Sequence, residues 1–198
     1  MTSDVTPRLP VRRRRLSVVA ALLAMGVVGA AACGDDPFKI DWVESPDTVV
    51  LYSLARPDLN KVSGFDFYNR YALVVEDAES TGNWDFAVGT RNGRIVLLPP
   101  GALGVTSKAR VAALKGRTFA DVTEAPADTL LYEARNPVPV ELGTIYVWRT
   151  RQGYGSFGRV CVYYAKMEAL AVDPAAGTLQ FVFDSSRVCN DRSLIPPK

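Results

Sequence analysis

The strongest constraint on the fold is a hairpin signal near the C-terminus. Two strand-like runs, 159–172 and 178–184, flank the turn Asp173–Gly177, in which proline fixes φ and glycine permits positive φ. Pairing Val172 with Thr178 sets a register in which Lys166 faces Asp184 as a cross-strand charge pair. On the other face the same register pairs apolar residues: Met167 with Phe183, Ala169 with Phe181 and Ala171 with Leu179. We therefore expect one face of this hairpin to lie in a hydrophobic core.

Continuing this register outward places Cys161 opposite Cys189. Directly opposed strand residues lie about 4.5–5.5 Å apart at Cα, which is within disulfide range. Apart from Cys33 these are the only cysteines of the chain, and an even pair in an exported domain favours a disulfide. The extension crosses Ser185 and Ser186, where the strand can break. Two buried free cysteines are the alternative.

Strand-like runs also recur through the rest of the chain. The dipeptide Asn92–Gly93 between two apolar runs is the strongest short hairpin signal. Only Ser107–Lys115 has a helical pattern, with a serine cap, an alanine-rich middle and Gly116 as terminator. The sequence therefore predicts a mainly β fold, an antiparallel sandwich or a partly open barrel with one short helix. The other predicted strands cover residues 48–54, 71–76, 84–89, 94–98, 129–134 and 144–150.

The N-terminal segment has the order of an export signal. Arg12–Arg15 precede 17 uncharged residues that end in small side chains directly before Cys33. This order resembles the lipobox of bacterial lipoproteins, in which that cysteine receives the lipid. Ordinary secretion and an uncleaved anchor helix are the alternatives, although 17 residues fall short of the roughly 20 that span a bilayer. We expect a signal peptide over 1–32, lipidation of Cys33, a tether over 33–39 and a single β-rich domain over 40–198.

Removal of that signal changes the charge of the chain. Five basic residues and one acidic residue leave with it, so the net charge goes from +2 to −2. The remaining 18 basic residues are scattered along the sequence, so we do not expect nucleic acid as a partner. The expected location is the cell envelope, with the lipid in the outer membrane or at the periplasmic face of the inner membrane.

The residues that most often carry chemistry are missing or are not arranged for it. The chain has no histidine, which removes the commonest general base and metal ligand. Gly153, Gly155 and Gly158 fit G-x-G-x-x-G, but a strand-like run follows where phosphate binding needs a helix, so a flexible hairpin loop is predicted. We predict no catalytic residue and no metal site. A hydrolase that uses carboxylates is a distant alternative.

Aromatic residues are the candidates for ligand contact. Trp42, Trp84 and Trp148 would form a stacking platform for a sugar or a tetrapyrrole, although aromatic residues on strands more often lie in the core. Tyr154 and Phe157 of the glycine loop are either tucked in or available for contact. Both assignments therefore depend on burial, which the sequence does not give.

Several short strings resemble the HmuY-like family of surface lipoproteins, best known for binding haem. The resembling strings are WDF at 84–86, FADVTEAP at 119–126, GTIYV at 143–147 with Arg149 and Thr150, and YAK at 164–166. The resemblance implies an all-β, lipid-anchored domain with a pocket between sheet and loops, exposed on the cell surface or facing the periplasm.

Haem is the cofactor that this resemblance suggests, but its usual ligands are missing. Family members that bind haem use paired histidine or methionine ligands, and Met167 is the only methionine after the signal. Since tyrosine can also ligate haem iron, Met167 together with Tyr146, Tyr163 or Tyr164 is a candidate pair. The hairpin register gives Met167 a core position against Phe183 instead.

We therefore expect a non-enzymatic module that binds a small hydrophobic or aromatic ligand or a partner protein of the envelope. The alternative is a structural or envelope-assembly lipoprotein without a small-molecule pocket. A dry cavity lined by the tryptophans and tyrosines would favour the ligand, and a filled core together with a flat apolar patch would favour the partner. The candidate contact residues are Trp84, Trp148, Tyr146, Tyr154 and Met167.

Overall fold

Antiparallel strands build this molecule, as the alternation of apolar and polar residues predicts. A computed structural model describes residues 42–197; the predicted signal peptide, Cys33 and the tether lie outside the described residues. The strands are β1 (Asp47–Tyr52), β2 (Gly64–Asp66), β3 (Tyr71–Leu73), β4 (Phe86–Arg91), β5 (Arg94–Leu98), β6 (Arg110–Lys115), β7 (Val138–Pro139), β8 (Thr144–Arg149), β9 (Gly153–Tyr154), β10 (Val160–Cys161), β11 (Tyr164–Asp173) and β12 (Thr178–Ser185).

Ten of these strands form two five-stranded sheets. Sheet 1 has the order β1-β12-β11-β8-β6, and sheet 2 has the order β3-β2-β4-β5-β7. Strands β9 and β10 pair only with each other. Neither of the described sheets closes into a barrel. The predicted mainly β fold with antiparallel sheets is confirmed, and of the two predicted architectures the structure is consistent with the sandwich.

The space between the sheets is filled mainly by aromatic side chains. In β8, Tyr146 and Trp148 face this core while Ile145 and Val147 face outward, because successive strand residues point to opposite sides. The Trp148 and Phe86 rings stack at 4.7 Å between centroids. Burying this much apolar surface is the main contribution to sandwich stability. The other aromatic residues of the core are Phe65, Phe67, Phe181 and Phe183.

Both outer faces of the sandwich are covered by loops. Val122 and Leu194, from two different loops, pack on the outward side chains of β8. The C-terminal segment is tied there by hydrogen bonds from the Ala125 and Leu194 N–H groups to the carbonyls of Arg192 and Thr123, both 2.8 Å long. Each sheet therefore has apolar residues on both faces.

The β11–β12 hairpin confirms most of the predicted register. Met167 faces Phe183 and Ala169 faces Phe181, but Asp173, not Val172, pairs with Thr178. The Asp173 carboxylate accepts the N–H groups of the next turn residues and so tightens the turn. The additional residue of β11 is accommodated by a register shift at Leu170, and the predicted pairing of Ala171 with Leu179 is therefore wrong.

The cross-strand charge pair needs a similar correction. Lys166 does face Asp184 in the ladder, but Asp184 forms its salt bridge with Arg70 at 2.9 Å. The Lys166 ammonium donates to the Val122 carbonyl at 3.2 Å and lies 3.8 Å from Glu44. Burial lowers the pKa of Lys166. The hairpin register thus predicted the neighbours of these charges but not their partners.

Two local predictions are wrong. Ser107–Lys115 is not a helix, because its last six residues form β6, and every residue of β6 pairs with β8. The Ser107 hydroxyl accepts the Ala109 N–H and closes a turn, which serine favours as readily as a helix cap. Residues 129–134 are not a strand but begin with a 3-10 turn, Thr129–Leu131, followed by a single bridge between Glu133 and Val111.

Candidate functional site

Four of the five candidate contact residues lie in the packed interior. Tyr146, Trp148 and Met167 belong to the core between the sheets, and Trp84 lies in a second apolar cluster on the outer face of sheet 2. Only Tyr154 is exposed, at 82% of its surface. The structure therefore does not gather these five residues around one pocket.

The buried candidates also have structural roles. The Tyr146 hydroxyl donates to the Pro139 carbonyl at 2.9 Å and accepts the Glu141 N–H at 2.8 Å, which fixes the connection into β8. Burial raises the pKa of Tyr146. Met167 is fully buried and faces Tyr146 on one side and Phe183 on the other. Neither side chain presents a free ligand atom to solvent.

The predicted disulfide between Cys161 and Cys189 is confirmed, with 5.1 Å between the Cα atoms. The predicted ladder around it is wrong, since β12 ends at Ser185 and Cys161 pairs instead with Gly153. Next to the disulfide, the Asn190 side chain also ties the C-terminal segment to this hairpin. It accepts the Val162 N–H at 2.9 Å and donates to the Val160 carbonyl at 3.1 Å. The bond joins a small hairpin to the C-terminal segment.

That hairpin, residues 153–161, is here called the aromatic arm. Strands β9 and β10 form its two sides, which confirms a hairpin in place of a dinucleotide-binding loop. Tyr154 lies on one side, and Phe157 at the tip is fully exposed. Phe157 has a φ of 59°, in the left-handed region that is uncommon for so bulky a residue. The arm therefore presents two aromatic rings to solvent.

A glycine inside the arm lets it pack on the disulfide. A Cβ atom added to Gly155 would lie 2.6 Å from the Cys161 sulfur, closer than nonbonded atoms approach. The Gly155 N–H also donates to the Arg159 carbonyl across the hairpin at 2.8 Å. The glycine spacing that suggested a nucleotide loop thus serves a close contact in the arm.

Two buried carboxylates hold the base of the arm. Asp85 accepts the backbone N–H groups of Phe67 at 2.8 Å and Arg151 at 2.7 Å. Asp66 accepts from the Arg151 guanidinium at 2.6 Å. Because Asp85 is wholly buried and lies near Asp66, its pKa is raised to about 7 despite these donors. Sequence patterns missed this cluster, since its members lie far apart in the chain.

The carboxylate pair resembles a catalytic dyad only in composition. The oxygens of Asp66 and Asp85 are occupied by backbone and side-chain donors, and both residues are fully buried. Residues 42–197 contain no group of three or more acidic, cysteine or histidine side chains that could hold a metal ion. They also contain no helix that is long and apolar enough to cross a membrane.

Comparison with known proteins gives no relative from which a function could be transferred: no family model and no curated protein matches the chain.

Proposed function

We propose that this protein is exported, is held to a membrane of the bacterial envelope by lipid on Cys33, and binds a partner protein without catalysis. The order of Arg12–Arg15, the apolar run and Cys33 supports the anchor. The Cys161–Cys189 bond supports export, since disulfides are rare in compartments that keep thiols reduced.

The observation that carries the proposal is the exposure of two aromatic rings on a fixed hairpin. Aromatic residues are enriched at protein interfaces and dominate their binding energy. Tyr154 and Phe157 project from an arm that a disulfide ties down at its base. An arm constrained in this way loses less conformational entropy on binding than a free loop. It is therefore suited to contact another protein.

A small hydrophobic ligand in the interior has weaker support. Among the residues that the HmuY-like resemblance suggests for haem, Met167 and Tyr146 are buried. They are cross-strand neighbours in the β11–β8 ladder of sheet 1. A ligand there would have to displace aromatic side chains that already pack at 4.7 to 6.2 Å between centroids. The resemblance itself stays a prediction.

The lipid anchor is tested by fractionation of cells that produce the full-length chain. We expect the wild-type protein in the membrane fraction and a Cys33→Ala variant outside it, since the thiol that carries the lipid is gone. The matched control is Cys33→Ser, which should behave like Cys33→Ala. A Cys33→Ala protein that remains in the membrane after an alkaline wash would support an uncleaved anchor helix instead.

The partner contact is tested by a photo-crosslinking amino acid at position 157 in the membrane-anchored protein. We expect one discrete adduct, and we expect a Tyr154→Ser change in the same protein to abolish it. Leu170 provides the control position, because it is also exposed and apolar but lies on the β11–β12 hairpin and not on the arm. Equal labelling from positions 157 and 170, or an adduct that is indifferent to Tyr154→Ser, would contradict the proposal.

A further inference from the structure

Two arginines face each other directly on the outer side of sheet 1. Arg110 of β6 is the cross-strand partner of Arg149 in β8. Like charges in directly opposite positions destabilise a sheet. The Arg149 guanidinium also donates to the Lys108 carbonyl at 3.0 Å, so it is held beside the segment that carries a third cation. A partner of opposite charge would relieve this repulsion.

These cations line a cleft of about 340 Å³, here called the basic cleft. Arg149 pairs on its other side with Tyr164 of β11, so the cations and this ring lie on neighbouring strands. No acidic residue lines the cleft, and within residues 42–197 no salt bridge joins Lys108, Arg110 or Arg149 to a carboxylate. The charged and aromatic residues of the lining are Lys108, Arg110, Tyr132, Arg149, Tyr164 and Arg192.

The hydrogen bonding of the cleft is incomplete. The Nε atom of Arg110 is buried and has no partner in the described part of the chain, and a buried unmatched donor is costly. Arg192 is already bonded to Glu124 at 2.6 Å. The Tyr132 hydroxyl donates to the Pro126 carbonyl at 3.1 Å, and burial raises its pKa, so the phenol adds no negative charge. A negatively charged acceptor would satisfy the Arg110 Nε donor and offset the charge of the cations.

We propose that the basic cleft binds the phosphate group of a small phosphorylated ligand, with the organic part of the ligand against Tyr132 and Tyr164. Arginine guanidinium groups match the oxygens of phosphate in two parallel hydrogen bonds. Three cations without a carboxylate partner suit a dianion better than a single carboxylate. This site is separate from the aromatic arm, so it goes beyond the proposed partner contact and can fail independently of it.

The test is calorimetric titration of the full-length protein in neutral detergent with inorganic pyrophosphate. We expect saturable one-to-one binding that weakens as salt is added. The Arg110→Gln and Arg149→Gln variants should each bind at least about tenfold more weakly, which corresponds to the loss of one charge-assisted contact. Saturable binding that neither variant weakens, or no binding by the wild-type protein, would overturn the proposal.

The chain contains a matched control in a second opposed pair. Arg91 and Arg94 also face each other across two strands, but both are exposed at the Asn92–Gly93 turn. An Arg94→Gln variant should bind pyrophosphate as the wild type does. Equal weakening in Arg94→Gln would mean that general positive charge attracts the anion, and this result would also overturn the proposal.

Three further measurements test the basic cleft as a specific phosphate site. Without ligand, Arg110→Gln should melt about 1–3 °C higher than the wild type at low salt, because the cross-strand repulsion is relieved. A lower melting temperature would mean that Arg110 stabilises the fold.

Citrate tests the chemistry of the anion, since equal affinity for citrate and pyrophosphate would contradict phosphate selectivity. Glycerol 3-phosphate carries the phosphate group on a soluble molecule, and a short-chain phosphatidic acid carries it on a lipid. Binding of either compound supports the proposal, and the tighter of the two shows whether the ligand is soluble or a lipid headgroup.

Discussion

Aromatic side chains in the core and on the aromatic arm have opposite environments. In the core, Phe86 and Trp148 stack on each other and are excluded from water. On the arm, Tyr154 and Phe157 have most of their surface in solvent. Burial of an aromatic ring stabilises the fold, whereas an exposed ring adds little to it. The difference shows that the same residue type builds the structure in one region and is available for contact in the other.

The two regions are also held by different forces. The core is stabilised by shape and apolar area, since its rings interdigitate between two sheets. The arm has little apolar interior, and its position depends on the disulfide and on the carboxylates at its base. Changes of core side chains should therefore destabilise the whole fold, whereas changes of the exposed side chains of the arm should leave it intact. Removal of the cross-link itself acts on the unfolded chain and so lowers the stability of the whole protein.

Trp148→Ala should have the largest effect. The ring is fully buried between the sheets, and removing a large buried aromatic side chain costs about 3–5 kcal/mol of unfolding free energy. The measurement is denaturant unfolding followed by circular dichroism, with Val50→Ala as the control at an exposed strand position. A loss below about 1 kcal/mol would mean that the core is not packed around Trp148.

Removal of the disulfide should have the second-largest effect on the unfolding free energy. A Cys161→Ser, Cys189→Ser double variant releases a cross-link between residues 28 positions apart, which corresponds to about 3–4 kcal/mol in the chain-entropy account. We expect this loss in denaturant unfolding, together with faster proteolysis between residues 153 and 161. An unchanged unfolding midpoint with intact resistance to protease would show that the bond does not hold the arm.

Asp85 should make stability depend on pH. Its folded pKa of about 7 lies above the ordinary aspartate value of 3.8, so its contribution to stability is fully present below pH 3.8 and is lost as the pH rises through 7. Between pH 5 and 8 the expected loss is on the order of 2 kcal/mol. The chain has no histidine to titrate in that range. The control is Asp85→Asn, whose denaturation midpoint should vary less with pH; an identical profile in both proteins would contradict this assignment.

Phe157→Ser should have the smallest effect on stability. The ring is fully exposed, so the change in unfolding free energy should stay within about 0.5 kcal/mol. The same substitution should weaken the partner contact proposed above, because it removes the side chain at the tip. A large loss of stability would show that Phe157 packs on the protein, and the contrast with Trp148 would then disappear.

Local signals predicted much of the sandwich. The Asn92–Gly93 turn and the alternation beside it gave the β4–β5 hairpin, since both turn residues adopt positive φ as that dipeptide favours. The cross-strand charge and apolar pairs predicted the middle of the β11–β12 ladder correctly, and extending that register predicted the disulfide. The alanine-rich segment of β6 was mispredicted, because pairing with β8 outweighs its helix propensity. Propensity alone does not reveal such a tertiary effect.

The sites were less predictable than the fold for a geometric reason. The basic residues look scattered in sequence, but the pairing of β6 with β8 brings Arg110 and Arg149 together. Asp66, Asp85 and Arg151 likewise meet only after sheet 2 and the arm are assembled. For the aromatic residues the sequence could supply candidates, but their burial decides which of them can touch a ligand. Of the five candidate contact residues the fold leaves only Tyr154 accessible, and it also exposes Phe157 of the same loop.

Because the interior between the sheets is filled, we expect binding to take place at the surface. Titration of the full-length protein with haemin, followed by visible absorbance under oxidising and reducing conditions, tests it most directly. We predict no saturable Soret shift, and the same result for Met167→Leu, a substitution of similar volume that the core should tolerate. A one-to-one Soret shift in the wild-type protein that is lost in Met167→Leu would contradict the claim.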